Sequence, residues 1–455
     1  MAEDLTQQTH GYAVYLPAIQ AGSAIEVASE MPMRTSGRSP TPLQMSALNW
    51  LEPHNAHWHY KWGLASAAHF MDERQDNAIN TAHPNTIIFG DSAGFQIGTG
   101  KLAEIKPWLA FRDKPQEITD AWSTSDLPVR IMRWLETYCD YGMTIDMPLW
   151  AQMPTRADTP FHHLSEQQLI ALTVANLELI SKRRDRQSRC KFLNVLQAYT
   201  PPGSDDDYLA SEERWFAAVK DYEFEGWALG GEVGARGGLK RVLRRLLILR
   251  DKGLLAAPRN WCHVLGVSTT IWAVCLTAMQ RAIRRTVNPD FTISFDSASA
   301  YLLAGRLNQY VTLPAFGDSM EDWIIRATKL PTGYATANNT VSQPFPTSSP
   351  IAGLFTLQDL NPRVGAFETK TTDVLGDQVL INHNVYVYVK AMIEANNAVF
   401  VKGAAPKALL EAVAIIDELF DAPDWQAKLE KHAWRLSGIT ARTKDAAAND
   451  ADSLR

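Results

Sequence analysis

Cysteine is scarce in this chain and scattered: Cys139, Cys190, Cys262 and Cys275 are the only four, and no two form a CxxC pair. A disulfide framework is therefore not expected, and a reducing cytoplasm is the natural location. Long apolar runs are missing as well. Nothing reaches the roughly eighteen residues of a transmembrane helix, and the opening MAEDLTQQTH lacks the basic start and apolar core of a signal peptide, so no membrane partner is expected. Neither GxGxxG nor GxxxxGK[ST] opens a candidate helix, which disfavours a phosphate-cradling mononucleotide fold. Overall positive charge is lacking too, the net formal charge being −6. A polyanion partner needs a basic patch rather than a basic total. Three runs could supply one: Lys182 to Lys191, Lys240 to Arg250, and Arg281, Arg284 and Arg285. Each reads equally as the solvated outer face of a helix.

What is present is a 455-residue chain, 46% hydrophobic, ample for a large core. Short apolar, β-rich segments end in Gly, Asp, Gln or Ser: NTIIFGDS, MTIDMP, KFLNVLQAY, GWALGGEVG, CHVLGVS and FTISFDS. Helical patterns lie between the later ones, namely SEERWFAAVKDYEF, GLKRVLRRLLILRDKG and TIWAVCLTAMQRAIRRT. The strands recur about every 30–35 residues from Lys191 onward, the length of one βα unit. Continuous apolar strands alternating with helices indicate a parallel sheet covered by helices. The expected fold is α/β, a (β/α)8 TIM barrel with an irregular insertion and a C-terminal helical extension. Residues 1–310 would form the core and 311–380, rich in Pro, Thr, Ser and Gly, the insertion. Helices over 381–440 would complete the barrel, ahead of a disordered tail at 441–455.

Polar residues cluster just past the strand ends, where such a barrel assembles its active site. In IIFGDSAGFQ a buried strand delivers Asp91, Ser92, Phe95 and Gln96 on one tight loop. A charge, a hydroxyl, a flat ring and an amide together suit a planar heterocycle. Taken singly, Asp91 or Asp146 reads as a helix cap or turn former, Phe95 as core, Gln197 as a capping amide and the Gly230–Gly231 pair as turn chemistry.

Taken in order, the segments resemble the tRNA-guanine transglycosylase superfamily, whose members exchange guanine for a 7-deazaguanine. Asp91 to Gln96 is similar to the family's DSGGFQ loop, with Ala93 in place of one glycine. Asp146 resembles the base-reading aspartate, Gln197 the glutamine of the VQG segment, Gly230–Gly231 the glycine pair facing the base, and Leu265-Gly266-Val267 the LMGVG segment. Asp296 in SFDS resembles the aspartate nucleophile. The resemblance implies Asp296 as nucleophile and Asp91 as general acid and base. Asp146 would read the guanine edge, Gln197 and the Gly231 N–H would donate to O6, Phe95 and Leu265 would sandwich the ring, and Ser92 would fix the remaining edge. Gly230 and Gly266 would complete the base-binding set, and no cofactor is required.

The departures concern the periphery. The family's zinc-binding CxCxxC has no counterpart; PFPTSSP stands in the corresponding place, and hydroxyls do not hold structural zinc. His383 in LINHNVYVYV resembles the family's zinc histidine but would be a former ligand now capping or packing. His54, His57 and His59 imitate a metal cluster without fitting partners, so no metal is expected. A basic segment after the nucleophile is replaced by DSASAYLLAG. These departures resemble the DNA-guanine transglycosylases of bacterial and phage 7-deazaguanine modification systems. The implied partners are DNA carrying a flipped or single-stranded guanine, a free 7-deazaguanine base, expected to be the 7-cyano form (preQ0), and partner proteins of a modification system. A tRNA enzyme with a degenerate zinc region, or a non-catalytic accessory subunit, are the alternatives.

Overall fold

The computed structural model describes residues 2–33, 44–199, 205–230, 238–330, 349–360, 372 and 374–441. Gly231, most of PFPTSSP and the tail beyond 441 lie outside the described residues. Eight parallel strands close into a barrel. They are β1 (Val14–Ile19), β2 (Trp62–Ser66), β3 (Ile87–Asp91), β4 (Tyr141–Met143), β5 (Lys191–Leu196), β6 (Gly226–Leu229), β7 (Trp261–Val264) and β8 (Thr292–Ser297). Each pairs with the next, and β8 closes on β1 with Ser294 opposite Val14 and Asp296 opposite Leu16.

The period of two along each strand builds the barrel interior in layers. Near the strand starts an aromatic plug of Trp62, Phe89, Tyr141 and Trp261 fills the lumen, with Phe89 stacked on Tyr141 at 4.6 Å and Tyr141 4.5 Å from Trp261. Two residues further along, two of these strands turn polar inward, His263 after Trp261 and Asp91 after Phe89, while Leu64 and Met143 keep the other two apolar.

Outside the barrel, a larger core lies between strands and helices. Helix Thr270–Thr286 is buried almost all round because helices Val374–Phe400 and Lys407–Asp421 pack over it. Its N-cap is Thr269, whose side chain accepts from the Trp272 N–H. Helix Glu166–Arg183 opens with a capping box between Ser165 and Gln168. Strand Gln309–Thr312 pairs antiparallel with Arg326–Lys329, forming a small ribbon after the barrel.

The C-terminal helix begins at Val374, inside the region expected to be irregular, and runs 27 residues to Phe400. His383 sits within it, buried, with Nε2 2.9 Å from the Val311 carbonyl and its ring pushed down to about 4 by burial. Among the described residues, no three His, Cys, Asp or Glu side chains stand together as a metal site. Among the described residues, too, no helix is long and apolar enough to cross a membrane.

Several members of the basic runs resolve into internal pairs. Arg184 forks onto Glu225 at 2.6 and 2.9 Å, Lys240 meets Glu430 at 2.9 Å, and Arg285 reaches Asp417 and Asp421 at 3.0 Å. Arg245, counted in the second run, is not on the surface at all but 3% exposed. Lys182, Arg281, Arg284 and Arg285 stand at helix C-terminal ends, hence at the barrel face opposite the strand C-termini.

Candidate active site

A cavity of about 580 Å³ opens at the C-terminal ends of the strands. Asp91, Ser92 and Phe95 line it from the loop after β3, Asp146 from the loop after β4, and Gln197 and Gly230 from the ends of β5 and β6. Leu265 and Gly266 follow β7, and Asp296 ends β8 on the far wall. The structure therefore brings together every candidate site residue it describes.

Asp296 is held by donors. Gly266 N–H reaches Oδ1 at 2.8 Å, and His263 Nε2 stands 3.2 Å from the same oxygen. Gly266 adopts φ +73, a left-handed conformation that glycine takes at no steric cost, and so turns its N–H toward the carboxylate. The His263 tautomer follows from its other neighbours. Trp261 Nε1, a donor only, gives its hydrogen to Ser294 Oγ at 2.8 Å, and Ser294 Oγ lies 2.9 Å from His263 Nδ1. The serine hydrogen is then available to Nδ1, leaving the ring proton on Nε2, facing Asp296. This Trp–Ser–His–Asp chain escaped the reading of CHVLGVS as a plain apolar strand. The signal was there, since His263 falls on the inward phase set by Trp261.

Asp91 lies in a different environment. Desolvation raises its proton affinity above the ordinary carboxyl value, and the nearby charge of Asp296 raises it further. The Ser66 hydroxyl, close by though outside full hydrogen-bond geometry, the Ala93 N–H and His263 partly offset this. Ala93 holds φ +71, in the left-handed region that favours glycine. The strained turn is what aims its N–H back at Asp91.

Asp146 is pushed up from 3.8 to about 7, first by desolvation and then by Asp91. Gln197 Nε2 donates to it at 2.6 Å and to Met147 O at 3.1 Å, while Gln197 Oε1 accepts from Leu149 N–H at 2.9 Å. The Leu149 donor fixes which end of the amide is oxygen. Both ends of Gln197 are thus engaged, so it orients Asp146 rather than offering an unused donor to a ligand's O6. Gly230 N–H is likewise taken, by Leu196 O at 2.8 Å. A Cβ added at Gly230 would meet nothing nearer than Leu265 at 3.5 Å, so the missing side chain leaves open ligand space. The Ser92 hydroxyl donates to Thr144 O at 3.1 Å and ties the loop after β3 to the end of β4.

Behind the cavity, buried Arg245 donates to Gly230 O at 3.1 Å and pairs with Glu212. One guanidinium so pins the end of β6 from outside the barrel, a role that a run of basic residues on paper conceals. No protein-family model and no curated protein matches the chain.

Proposed function

We propose that the cavity exchanges a guanine in DNA for a free 7-deazaguanine base, the 7-cyano form being the expected donor, through a covalent aspartyl–sugar intermediate. The observation that carries this reading is the pairing of unlike carboxyls in one cavity, Asp296 under two N–H donors and Asp91 with raised proton affinity. Displacing a base from a sugar passes through an oxocarbenium-like state that a carboxylate on the opposite face can trap. In the first step an Asp296 oxygen bonds to C1′ as the C1′–N9 bond breaks, and Asp91 gives its proton to the leaving guanine. In the second, Asp91 takes the N9 proton of the incoming base, N9 bonds to C1′ and the Asp296 ester opens. Atoms and protons balance, and no redox partner enters.

Asp146, held by Gln197, supplies two acceptor oxygens for the N1–H and exocyclic amine of a guanine edge. It reads best when ionised, so base capture strengthens as pH rises through about 7. Phe95 and Leu265 offer faces for stacking. Carbon at position 7 of the donor removes a protonation site, so the product base leaves less readily than guanine and exchange runs forward. A duplex substrate must release its guanine from the stack, at about a few kcal/mol.

The test is incubation of the purified protein with labelled guanine or the 7-cyano base, and with DNA or tRNA in parallel. Label entering DNA is the expected result. Label entering tRNA alone would move the protein to the tRNA enzymes, and label entering neither would leave an accessory role.

A further inference from the structure

The partly paired basic runs leave unanswered where a nucleic-acid backbone would be gripped. At the rim of the cavity, Phe95 and Trp150 form an aromatic step with ring centroids 5.7 Å apart and planes tilted by 34°. Both rings are half-buried and both line the cavity. Phe95 comes from the short helix Gly94–Gly98 after β3, and Trp150 from the turn Leu149–Gln152 after β4. The indole is seated on Gly98, where an added Cβ would lie 2.7 Å from it. Two cations flank the step. Lys101 Nζ stands 5.0 Å from the Phe95 centroid, and the Arg156 guanidinium 5.9 Å from Phe95 and 5.4 Å from Trp150.

Several of the chain's arginines are committed to carboxylates instead. Arg130, Arg184, Arg214, Arg244, Arg245 and Arg285 all have carboxylates at hand. Among the described residues, neither Lys101 nor Arg156 has an ion-pair partner, and Arg156 Nε is buried without an acceptor. A buried donor left without an acceptor is costly, so an anion that reaches this guanidinium has free energy to recover. Aromatic faces beside unpaired cations are the means by which proteins hold single strands, since bases stack and phosphates pair.

We propose that Trp150, Lys101 and Arg156, set around the outer edge of Phe95, form a subsite for the nucleotide flanking the exchanged guanine in a single DNA strand. Trp150 stacks on the neighbouring base, and Arg156 with Lys101 meets the phosphate between the two nucleotides. The inference rests on the reading of the cavity as a base-exchange site and adds the strand's line of approach, over the loops after β3 and β4.

The experiment measures two affinities on the full chain: a fluorescein-labelled single-stranded oligodeoxynucleotide with one guanine, by anisotropy over a salt series, and free guanine, by calorimetry. Trp150→Ala is expected to weaken the oligonucleotide about tenfold, within the stacking range for one base. Its effect on guanine should be at least about fivefold smaller. Arg156→Gln is expected to lower the slope of log affinity against log salt by about 0.7, one phosphate contact on a single strand, with guanine affinity unchanged. Trp150→Leu, which keeps apolar volume on Gly98, serves if the alanine variant does not fold. Wild-type guanine binding together with oligonucleotide binding indifferent to both substitutions would overturn the subsite and leave the base-exchange reading standing. A wild-type protein that binds neither probe would overturn both.

Discussion

Replacing Asp146 with asparagine should change the stability of the ligand-free protein by an amount, and with a sign, that depend on pH. The native carboxyl titrates near 7, against 3.8 ordinarily. A proton held over about three extra pH units, at about 1.4 kcal/mol each, sets a ceiling of about 4 kcal/mol. Between about pH 4 and 7 the unfolded chain has released this proton and the native protein has not, so native stability falls as pH rises, and the loss is complete above about 8. Asparagine carries none of it. It keeps an acceptor for Gln197 but presents an amide where a carboxylate oxygen stood, a pH-independent cost of about 2 kcal/mol, so the expected gain is about 2 kcal/mol at pH 8 and turns into a loss of about 2 kcal/mol near pH 4. Urea denaturation of both proteins from pH 4 to 9, with midpoints and slopes compared, measures it. A difference independent of pH, or a gain that grows as pH falls, would refute the desolvated carboxyl at this position. The same variant should lose guanine binding at pH 8 while retaining most of its DNA affinity, which filter binding with and without a competing free base checks.

Three further substitutions probe the cradle around the two carboxyls proposed to be catalytic. Gly266→Ala places a Cβ at φ +73 and should destabilise the fold by about 1–2 kcal/mol while tilting the N–H that holds Asp296, so exchange should fall more than stability alone accounts for. Ala93→Gly relieves a left-handed alanine but loosens the unfolded chain, and denaturation should show a net change of no more than about 1 kcal/mol with exchange retained. His263→Phe removes a donor to Asp296 and should lower kcat for exchange about 10- to 100-fold with little change in KM for DNA. An altered pH profile would accompany that loss if His263 positions and polarises Asp296, and an unchanged profile would reduce it to a packing residue.

Much of the barrel was legible because six of its strands end in conspicuous polar residues after apolar runs. The helix over Thr270–Thr286 coincides with its periodic pattern. The two strands that were not foreseen, Val14–Ile19 and Trp62–Ser66, hide for physical reasons. Pro17 interrupts the first, and a proline argues against a central strand. It is accommodated at the end of the ladder, opposite Ser297. WGLAS is short, three of its five residues are small, and it has no β-branched residue to announce it. The long helix was expected from 381 but begins at Val374, because a helix buried on nearly every side shows no amphipathic period to mark its start.

In the site, the individual carboxyls were legible from their place at strand ends, whereas their differing surroundings were not. The engagement of Gln197 by Leu149, Met147 and Asp146 depends on loop geometry that no spacing reveals. The same holds for Arg245, which looks like one more surface cation until the helix over Gly238–Asp251 buries it against Gly230 and Glu212. Lys101 and Arg156 lie outside every basic run, and only the fold sets them beside Phe95 and Trp150.

The central claim is that Asp91 and Asp296 act on a single glycosidic bond, and trapping the intermediate tests it most directly. Wild-type protein incubated with a guanine-containing single-stranded DNA, then denatured and weighed by intact-mass spectrometry, should carry a covalent DNA adduct that free 7-cyano-7-deazaguanine discharges. Asp296→Asn should form none, and Asp91→Asn should form it far more slowly. An adduct that survives at full yield in Asp296→Asn would contradict the account.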